Sequence, residues 1–317
     1  MIDRIRLELA RKTGKSGEID MTPLVLMLAI AFSNPLVPIE KDHAGNEIYA
    51  GLIRDGFDLA DVKVVFPPSL LNDEHKPDAE AALLRTLTGS DRGVTEFIRD
   101  SVTAPQILKI RDLSAGDKGI VRVADLWFVI RANLDAIDLN NVSGSDDGKP
   151  IEAGNMRFGV ALLGEKELKT RGIGLKILER PVKEWYLHAT GRLLDRIEVE
   201  ATDRIVASKS DASWVIAAIT DPKFDADPAF PNRWNPVGKA TEQYAGGASY
   251  VKIAKLTTVS GALLVEAHFA FFEPRQWFDG APILRSKLAL IAQDRVRSLR
   301  RELKLSQPAA KPRTPQD

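Results

Sequence analysis

The stretch ASYVKIAKLTTVSGALLVEAHFAFFEP, residues 248–274, decides the fold class of this chain. Its two halves, residues 248–259 and 262–274, are rich in β-branched, aromatic and other apolar residues, a composition typical of strands. Ser260 and Gly261 separate the halves and indicate a short turn. We therefore predict two long strands that pair in the antiparallel direction.

A single long helix is predicted after these strands, in APILRSKLALIAQDRVRSLRRELK, residues 281–304. Asp279 can cap its start, and Pro282 suits its first turn. Basic residues flank its apolar stripe and would suit anionic lipid or nucleic acid, but a continuous stripe favours packing on the protein's own sheet. The stripe repeats at helical spacing and comprises Leu284, Leu288, Ala292, Val296, Leu299 and Leu303.

Further strands are predicted upstream from apolar runs and alternating patterns. They lie in residues 106–113, 119–134, 156–163, 184–194, 197–208 and 213–221. Short helices are predicted in residues 78–90 and 93–102, whereas residues 35–80 lack a regular pattern. This order predicts an α+β fold, mainly an antiparallel meander sheet with short N-terminal helices and one long C-terminal amphipathic helix packed on the sheet.

The patterns divide the chain into four regions. Residues 1–33 are a candidate signal or targeting segment, and residues 34–103 form an irregular and helical N-terminal part. Residues 104–305 contain the antiparallel sheet and the C-terminal helix, and residues 306–317 are predicted to be a disordered tail.

The most apolar run of the chain is MTPLVLMLAIAFSNP, residues 21–35. It is too short to span a bilayer, and it fits the apolar segment of a signal peptide with cleavage before Asn34. Acidic residues before Met21 are unusual for a signal, so Met21 is an alternative start to Met1. A buried strand or helix is the other interpretation. We favour an exported, periplasmic or envelope location over a cytoplasmic one.

The composition excludes several classes of site. Basic and acidic residues number 44 each, so the formal net charge is zero and we expect no nucleic-acid partner. The lack of cysteine excludes disulfides, thiolate metal sites and a cysteine nucleophile, and four histidines disfavour a multi-histidine metal site. We predict no cofactor. The partner stays open, with a hydrophobic ligand or an envelope component as the expected kinds.

Glu266 and His268 are the candidate catalytic pair. They lie two positions apart on a predicted strand, so they share one face of it. A carboxylate beside an imidazole can raise the pKa of the imidazole and hold its tautomer, as acid–base catalysis requires. Alternatively, the two side chains only satisfy each other.

The ligand-binding candidates lie in two loop-like segments that contain aromatic residues. Arg233 and Trp234 belong to a proline-rich segment before the long strands, and Trp277 and Asp279 to the segment between the last strand and the last helix. Aromatic residues in such segments either line the mouth of a ligand site or cover the core.

Three nearby acidic residues, Asp221, Asp225 and Asp227, are the candidate metal ligands. Carboxylate oxygens in this number suit a hard cation such as calcium. The EF-hand spacing and its closing glutamate are absent, however, and solvated loop aspartates are the alternative. We therefore predict no metal site.

Several segments resemble an uncharacterised family of planctomycete-type bacterial hypothetical proteins, many of them exported. The resemblance spans about residues 51–301, and because the family carries no known activity, it transfers no catalytic residue. The segments are FIRDSVTAPQILKIRDL (97–113), ADLWFVI (124–130), DPKFDADPAFPNRWNPV (221–237), YAGGASYVKIAKL (244–256) and WFDGAPILRSKLALIAQDRVRSLRR (277–301).

The strand–strand–helix ending, residues 250–303, is also similar to the START-like lipid-binding superfamily. That resemblance implies long curved antiparallel strands that close onto a C-terminal helix and enclose an apolar cavity.

Three functions follow as hypotheses. We favour a non-catalytic exported or envelope-associated protein with a binding or structural role. A START-like carrier of a hydrophobic ligand is the first alternative, and it requires an apolar cavity between the last helix and the sheet. A hydrolase-like enzyme that uses Glu266 and His268 is the second, and it requires both side chains in an open cleft with a third polar group.

Overall fold

The fold is α+β, as the order of elements predicts, with a large antiparallel sheet and a long C-terminal helix packed against it. The candidate signal segment, residues 1–33, and residues 307–317 lie outside the described part of the chain. The structure is a computed structural model, and it describes residues 39–137, 151–153, 156–174, 182–281 and 283–306.

Two hairpin strands stand apart from the main sheet, β1 (Phe57–Leu59) and β2 (Val62–Val64). The strands of the main sheet are β3 (Ile107–Ser114), β4 (Gly119–Arg131), β5 (Ile151–Ala153), β6 (Met156–Leu162), β7 (Val182–Leu193), β8 (Ile197–Lys209), β9 (Ser213–Thr220), β10 (Arg233–Pro236), β11 (Glu242–Gln243), β12 (Gly247–Lys255) and β13 (Ala262–Pro274). The described helices are α1 (Glu47–Arg54), α2 (Pro77–Thr88), α3 (Asp91–Phe97), α4 (Glu165–Lys169) and α5 (Ile283–Ser306).

The hairpin of β12 and β13 lies in the centre of the sheet. The strand order is β3-β4-β13-β12-β9-β8-β7-β6-β5, and neighbouring strands pair in the antiparallel direction. β13 pairs with β4 and β12 pairs with β9, so the hairpin joins the first two strands to the meander of β5 to β9. β10 pairs with β8 beyond the end of β9, and β11 pairs with β10.

Both faces of the central strands are buried. On one face Val251 and Val265 belong to the same apolar cluster as Val296 of α5. On the other face Tyr250 belongs to a cluster with Tyr49 of α1. The sheet is therefore a middle layer between α5 and the N-terminal segment, which explains why β12 and β13 are apolar at nearly every position.

Polar contacts hold α5 on the sheet towards both of its ends. Arg300 is buried, and its guanidinium donates to Val129 O (3.0 Å) and Ala104 O (2.6 Å). Near the start of the helix, Arg285 donates to Asp112 Oδ2 (2.7 Å). Part of the basic face of α5 therefore attaches the helix to its own sheet.

Residues 35–80 contain more regular structure than their sequence indicates. Their described part includes α1 and the β1–β2 hairpin. The Asn46 side chain caps α1 by accepting a hydrogen bond from Tyr49 N (3.1 Å). These elements are too short to show a clear period in sequence, and they form because Tyr49 and Leu52 bury against the sheet.

Candidate functional site

A cavity of about 190 Å³ lies between the first half of α5 and the sheet. Its walls are mostly apolar and come from α5 and from both halves of the sheet. An engineered apolar cavity of about 150 Å³ in another protein binds benzene. This cavity therefore has room for one ring or a short chain.

Small side chains on the sheet create the cavity. Ala189, Ala201 and Ala218 lie on its wall, where α5 contributes residues from its first half. The second half of α5 belongs instead to a tightly packed cluster with large residues such as Phe128 and Ile253. Because alanines cannot reach the helix, space remains beneath its first half.

Asp203 and Thr220 form a polar group within this apolar wall. Thr220 Oγ1 donates to Asp203 Oδ1 (2.8 Å) and accepts from Gly247 N (3.0 Å). Gly246 has a φ of +81°, and a Cβ there would lie 2.4 Å from Thr220 Cβ. The Gly246–Gly247 pair therefore lets the backbone approach Thr220 closely enough to fix its hydroxyl.

Burial raises the pKa of Asp203 from 3.8 to about 6, and the hydrogen bond from Thr220 opposes part of this effect. Asp203 is nevertheless only partly buried as a residue. We take its accessible part to face the cavity, since Asp203 is one of the residues that line the cavity.

Aromatic residues close one end of the cavity. Tyr244 stacks on Trp277 at 5.8 Å between ring centroids, with an angle of 17° between the ring planes. Trp234 meets Trp277 edge-on, also at 5.8 Å. Tyr244 and Trp277 line the cavity, whereas Trp234 is buried and is not one of the lining residues.

The structure separates the four ligand-binding candidates. Trp234 and Trp277 contact each other, and of these two only Trp277 reaches the cavity wall. Arg233 lies at the surface and donates to Glu200 Oε1 (2.7 and 2.9 Å). The side chain of Asp279 lies outside the described residues.

Glu266 and His268 lie on the opposite face of the sheet, in a closed polar cluster. His268 Nε2 is 2.9 Å from Glu266 Oε1, and His268 Nδ1 is 2.9 Å from Asp125 Oδ1. Trp127 Nε1 and Leu70 N also donate to Glu266 (3.0 and 2.7 Å). Burial and the nearby Glu266 raise the pKa of Asp125 to about 8.

This cluster provides no open cleft for a substrate. At most 3% of Glu266, Asp125 or His268 is exposed, and Tyr250 stacks on the His268 ring at 4.5 Å. The bond from Leu70 also ties the N-terminal segment to the sheet. The contacts that we describe therefore favour a structural role for the pair over acid–base catalysis.

A second buried cluster combines a serine, a histidine and a carboxylate on the same face. Lys252 Nζ lies 2.5 Å from Glu40 Oε1 and 2.9 Å from Asp73 Oδ1. His43 Nε2 contacts both Ser213 Oγ (2.7 Å) and Asp73 Oδ2 (3.3 Å). On the other side of the ring, His43 Nδ1 lies 2.8 Å from Ser208 Oγ, so a serine and a carboxylate do occupy opposite ring nitrogens, as in a catalytic triad. His43, Ser208 and Ser213 are all fully buried, however, so a substrate has no access to either hydroxyl in this arrangement.

The three candidate metal ligands have separate partners. Asp221 accepts from Lys223 N (3.0 Å), and Asp225 Oδ1 accepts from the side-chain amide of Asn232 (2.7 Å). Asp227 pairs with Arg171 (2.5 and 3.0 Å). Within the described residues, no group of three or more acidic, histidine or cysteine side chains is arranged to hold a metal ion.

The cavity residues Asp203, Thr220 and Tyr244 were not among the candidates from sequence. Asp203 has a recognisable signal, because it is the charged member of a strand face that otherwise carries Ala201 and Ile205. Thr220 and Tyr244 give no comparable signal, since their roles depend on how β9, β12 and the intervening segment meet.

Comparisons with known proteins give no information on the function of the cavity. The chain matches no protein-family model and no curated protein. None of the described helices is both long enough and apolar enough to cross a bilayer. The planctomycete-type and START-like resemblances, and the export of the chain, stay predictions.

Proposed function

We propose that this protein binds and carries a small, largely apolar molecule in the cavity between α5 and the sheet. The apolar cavity beneath the first half of α5 is the observation that supports this proposal. It has the position that a START-like carrier requires. A concave, mostly apolar pocket with a few polar groups is also the usual form of a small-molecule site.

The energetics of packing also favour a ligand. Cavities left in protein cores cost about 24 cal/mol per Å³, so an empty space of about 190 Å³ that is partly open to solvent corresponds to at most roughly 4.6 kcal/mol. Typical domains are stable by only about 5–15 kcal/mol. A cavity of this size is therefore a substantial cost to the fold, and a bound molecule would offset part of it.

Toluene, a single apolar ring, is a suitable probe. We expect saturating toluene to raise the melting temperature of the protein, once any bound ligand has been removed, by about 2 °C or more, because a ligand at ten times its Kd stabilises the folded state by about 1.4 kcal/mol. In Ala201→Leu, which fills the cavity from β8, toluene should no longer change the melting temperature.

The matched control is Ala82→Leu, the same substitution at an exposed position of α2. This variant should respond to toluene as the wild type does. A wild-type protein that gives no shift, or an Ala201→Leu variant that binds toluene as tightly as the wild type, would contradict the proposal.

A further inference from the structure

A carboxylate and a hydroxyl lie near each other on the cavity wall without a bond between them. Asp203 accepts a hydrogen bond from Thr220, and none from Tyr244 is present. The Tyr244 hydroxyl has no hydrogen-bond partner among the described residues. Both residues line the same cavity, and Thr220, which donates to Asp203, also accepts from Gly247 N, three residues beyond Tyr244. In keeping with this arrangement, Asp203 adds to the effect of burial in raising the pKa of Tyr244 above its ordinary value.

Trp277 adds a third polar group near this wall. Its ring stacks on Tyr244, and its indole N–H has no acceptor in the part of the chain that the structure describes. Trp277 is 1% exposed and its indole nitrogen is buried, so bulk water does not satisfy this donor. Leaving a buried donor or acceptor unpaired costs about 1–3 kcal/mol.

We propose that the ligand carries a hydroxyl group, which donates a hydrogen bond to Asp203 and accepts one from Tyr244, while its apolar body fills the space beneath α5. The inference rests on the proposed function and specifies the ligand chemistry. A hydroxyl suits this place because it both donates and accepts.

Other head groups fit this wall less well. A pure hydrocarbon offers no hydrogen bond to Asp203 or Tyr244, and an ammonium group cannot accept from the tyrosine hydroxyl. A carboxylate would place a second negative charge beside Asp203. Arg295 on α5 also lines the cavity and would suit an anion, but it is not among the groups that shift the pKa of Asp203.

Phenol, toluene and benzoate test the head group, because they share one ring and differ in a single substituent. We measure their dissociation constants at pH 7.5 by NMR titration of the full chain from which any bound ligand has been removed. Phenol should bind about tenfold more tightly than toluene. Two hydrogen bonds contribute about 1 kcal/mol each, and tenfold tighter binding needs only about 1.4 kcal/mol, which leaves room for the cost of desolvating the phenol hydroxyl. Benzoate should bind more weakly than both.

Tyr244→Phe tests the donor without a change in ring shape. This variant should bind phenol about fivefold more weakly, as expected for one hydrogen bond of about 1 kcal/mol, and toluene should bind it unchanged. The control is Tyr49→Phe, the same change at a buried position on the opposite face of the sheet. The wild-type ratio of phenol to toluene affinity tests the inference independently of how either variant folds.

The outcomes separate this inference from the proposed function. Equal affinities for phenol and toluene would overturn the hydroxyl inference and leave the apolar cavity as a binding site. Binding of none of the three probes would overturn both. Tightest binding of benzoate would also overturn the inference, and would identify Arg295 as the group that recognises the ligand. Unchanged phenol binding by Tyr244→Phe would show that the Tyr244 hydroxyl is not the donor to the ligand, and would overturn this part of the inference.

Discussion

Asp203 is a carboxylate on the cavity wall, where burial disfavours its charged form. Its pKa is raised to about 6 from 3.8, chiefly by burial. Between these pH values the folded state binds a proton more tightly than the unfolded state, so stability falls as the pH rises through this range. The total cost is at most about 3 kcal/mol, since one pKa unit corresponds to about 1.4 kcal/mol.

We therefore expect Asp203→Asn to be more stable than the wild type above pH 6. The amide oxygen can still accept the hydrogen bond from Thr220, and no charge has to be buried. Urea denaturation between pH 4 and pH 8 measures the effect. The wild type should lose stability relative to the variant as the pH rises, and the difference should level off above about pH 6.

The difference between the two proteins isolates Asp203 from other acids whose pKa is raised. Asp125 and Glu273 also have raised pKa values, and both are present in the wild type and in the variant. Tyr244 also lines the cavity, and it stays neutral in this range because its pKa is raised above its ordinary value. Parallel pH profiles of the two proteins would contradict a raised pKa at Asp203.

At the scale of elements, one buried carboxylate attaches α2 to the turn between β12 and β13. Glu80 accepts hydrogen bonds from Thr257 N (2.6 Å) and Thr258 N (3.0 Å), and from both threonine hydroxyls. His75 Nε2 lies 2.7 Å from the same carboxylate. Burial alone would raise the pKa of Glu80, but these hydrogen bonds lower it below 4.5.

Glu80→Gln should destabilise the protein by about 2 kcal/mol or more at pH 7. The glutamine NH₂ group is itself a donor, so it cannot accept the hydrogen bonds that one carboxylate oxygen of Glu80 accepts from Thr257 or Thr258. The contribution of Glu80 is present above about pH 4.5 and is lost as the pH falls through its lowered pKa, so the two proteins should converge in acid. Chemical denaturation at pH 7 and pH 3 measures both effects.

Glu96→Gln on α3 is the control for this change. Glu96 forms an exposed ion pair with Arg99 (3.4 Å), which contributes little to stability. Its substitution should change the free energy of unfolding by less than about 0.5 kcal/mol. Equal effects of the two substitutions would show that Glu80 does not anchor α2.

The elements that are long and periodic are those that the sequence predicts. The apolar stripe of α5 packs on the sheet, and the hairpin of residues 248–274 forms the central strands. Both follow from local patterns. The cavity does not, because it depends on alanines of β7 to β9 that face a helix roughly 70 to 100 residues later in the chain.

The surroundings of the candidate catalytic pair could not be predicted from local sequence patterns either. Glu266 and His268 lie on one strand face, which their spacing of two predicts, but burial of that face depends on a segment about 200 residues earlier. Asp125, the second partner of His268, belongs to another strand. Such partners are set by strand register over long separations, so one sequence does not reveal them.

At the scale of the whole molecule, the two faces of the sheet have different characters. The face towards the N-terminal segment carries buried polar pairs, such as Lys252 with Asp73 and Glu266 with His268. Breaking such pairs is costly, which favours a fixed arrangement of this layer. The face towards α5 carries the cavity instead. Ligand exchange is therefore expected to involve α5 and not the N-terminal segment.

If the ligand leaves only when α5 moves away from the sheet, the protein should retain its natural ligand through purification. Organic extraction of wild-type protein from its native source should release a small molecule that mass spectrometry detects, and the matching extract of Ala201→Leu should lack it. Removal of the ligand from the wild type should lower its melting temperature, because a molecule that binds only the folded state stabilises it. The stripped protein should recover its stability when the extract is returned. Indistinguishable extracts from the wild type and Ala201→Leu would contradict a carrier whose ligand occupies this cavity.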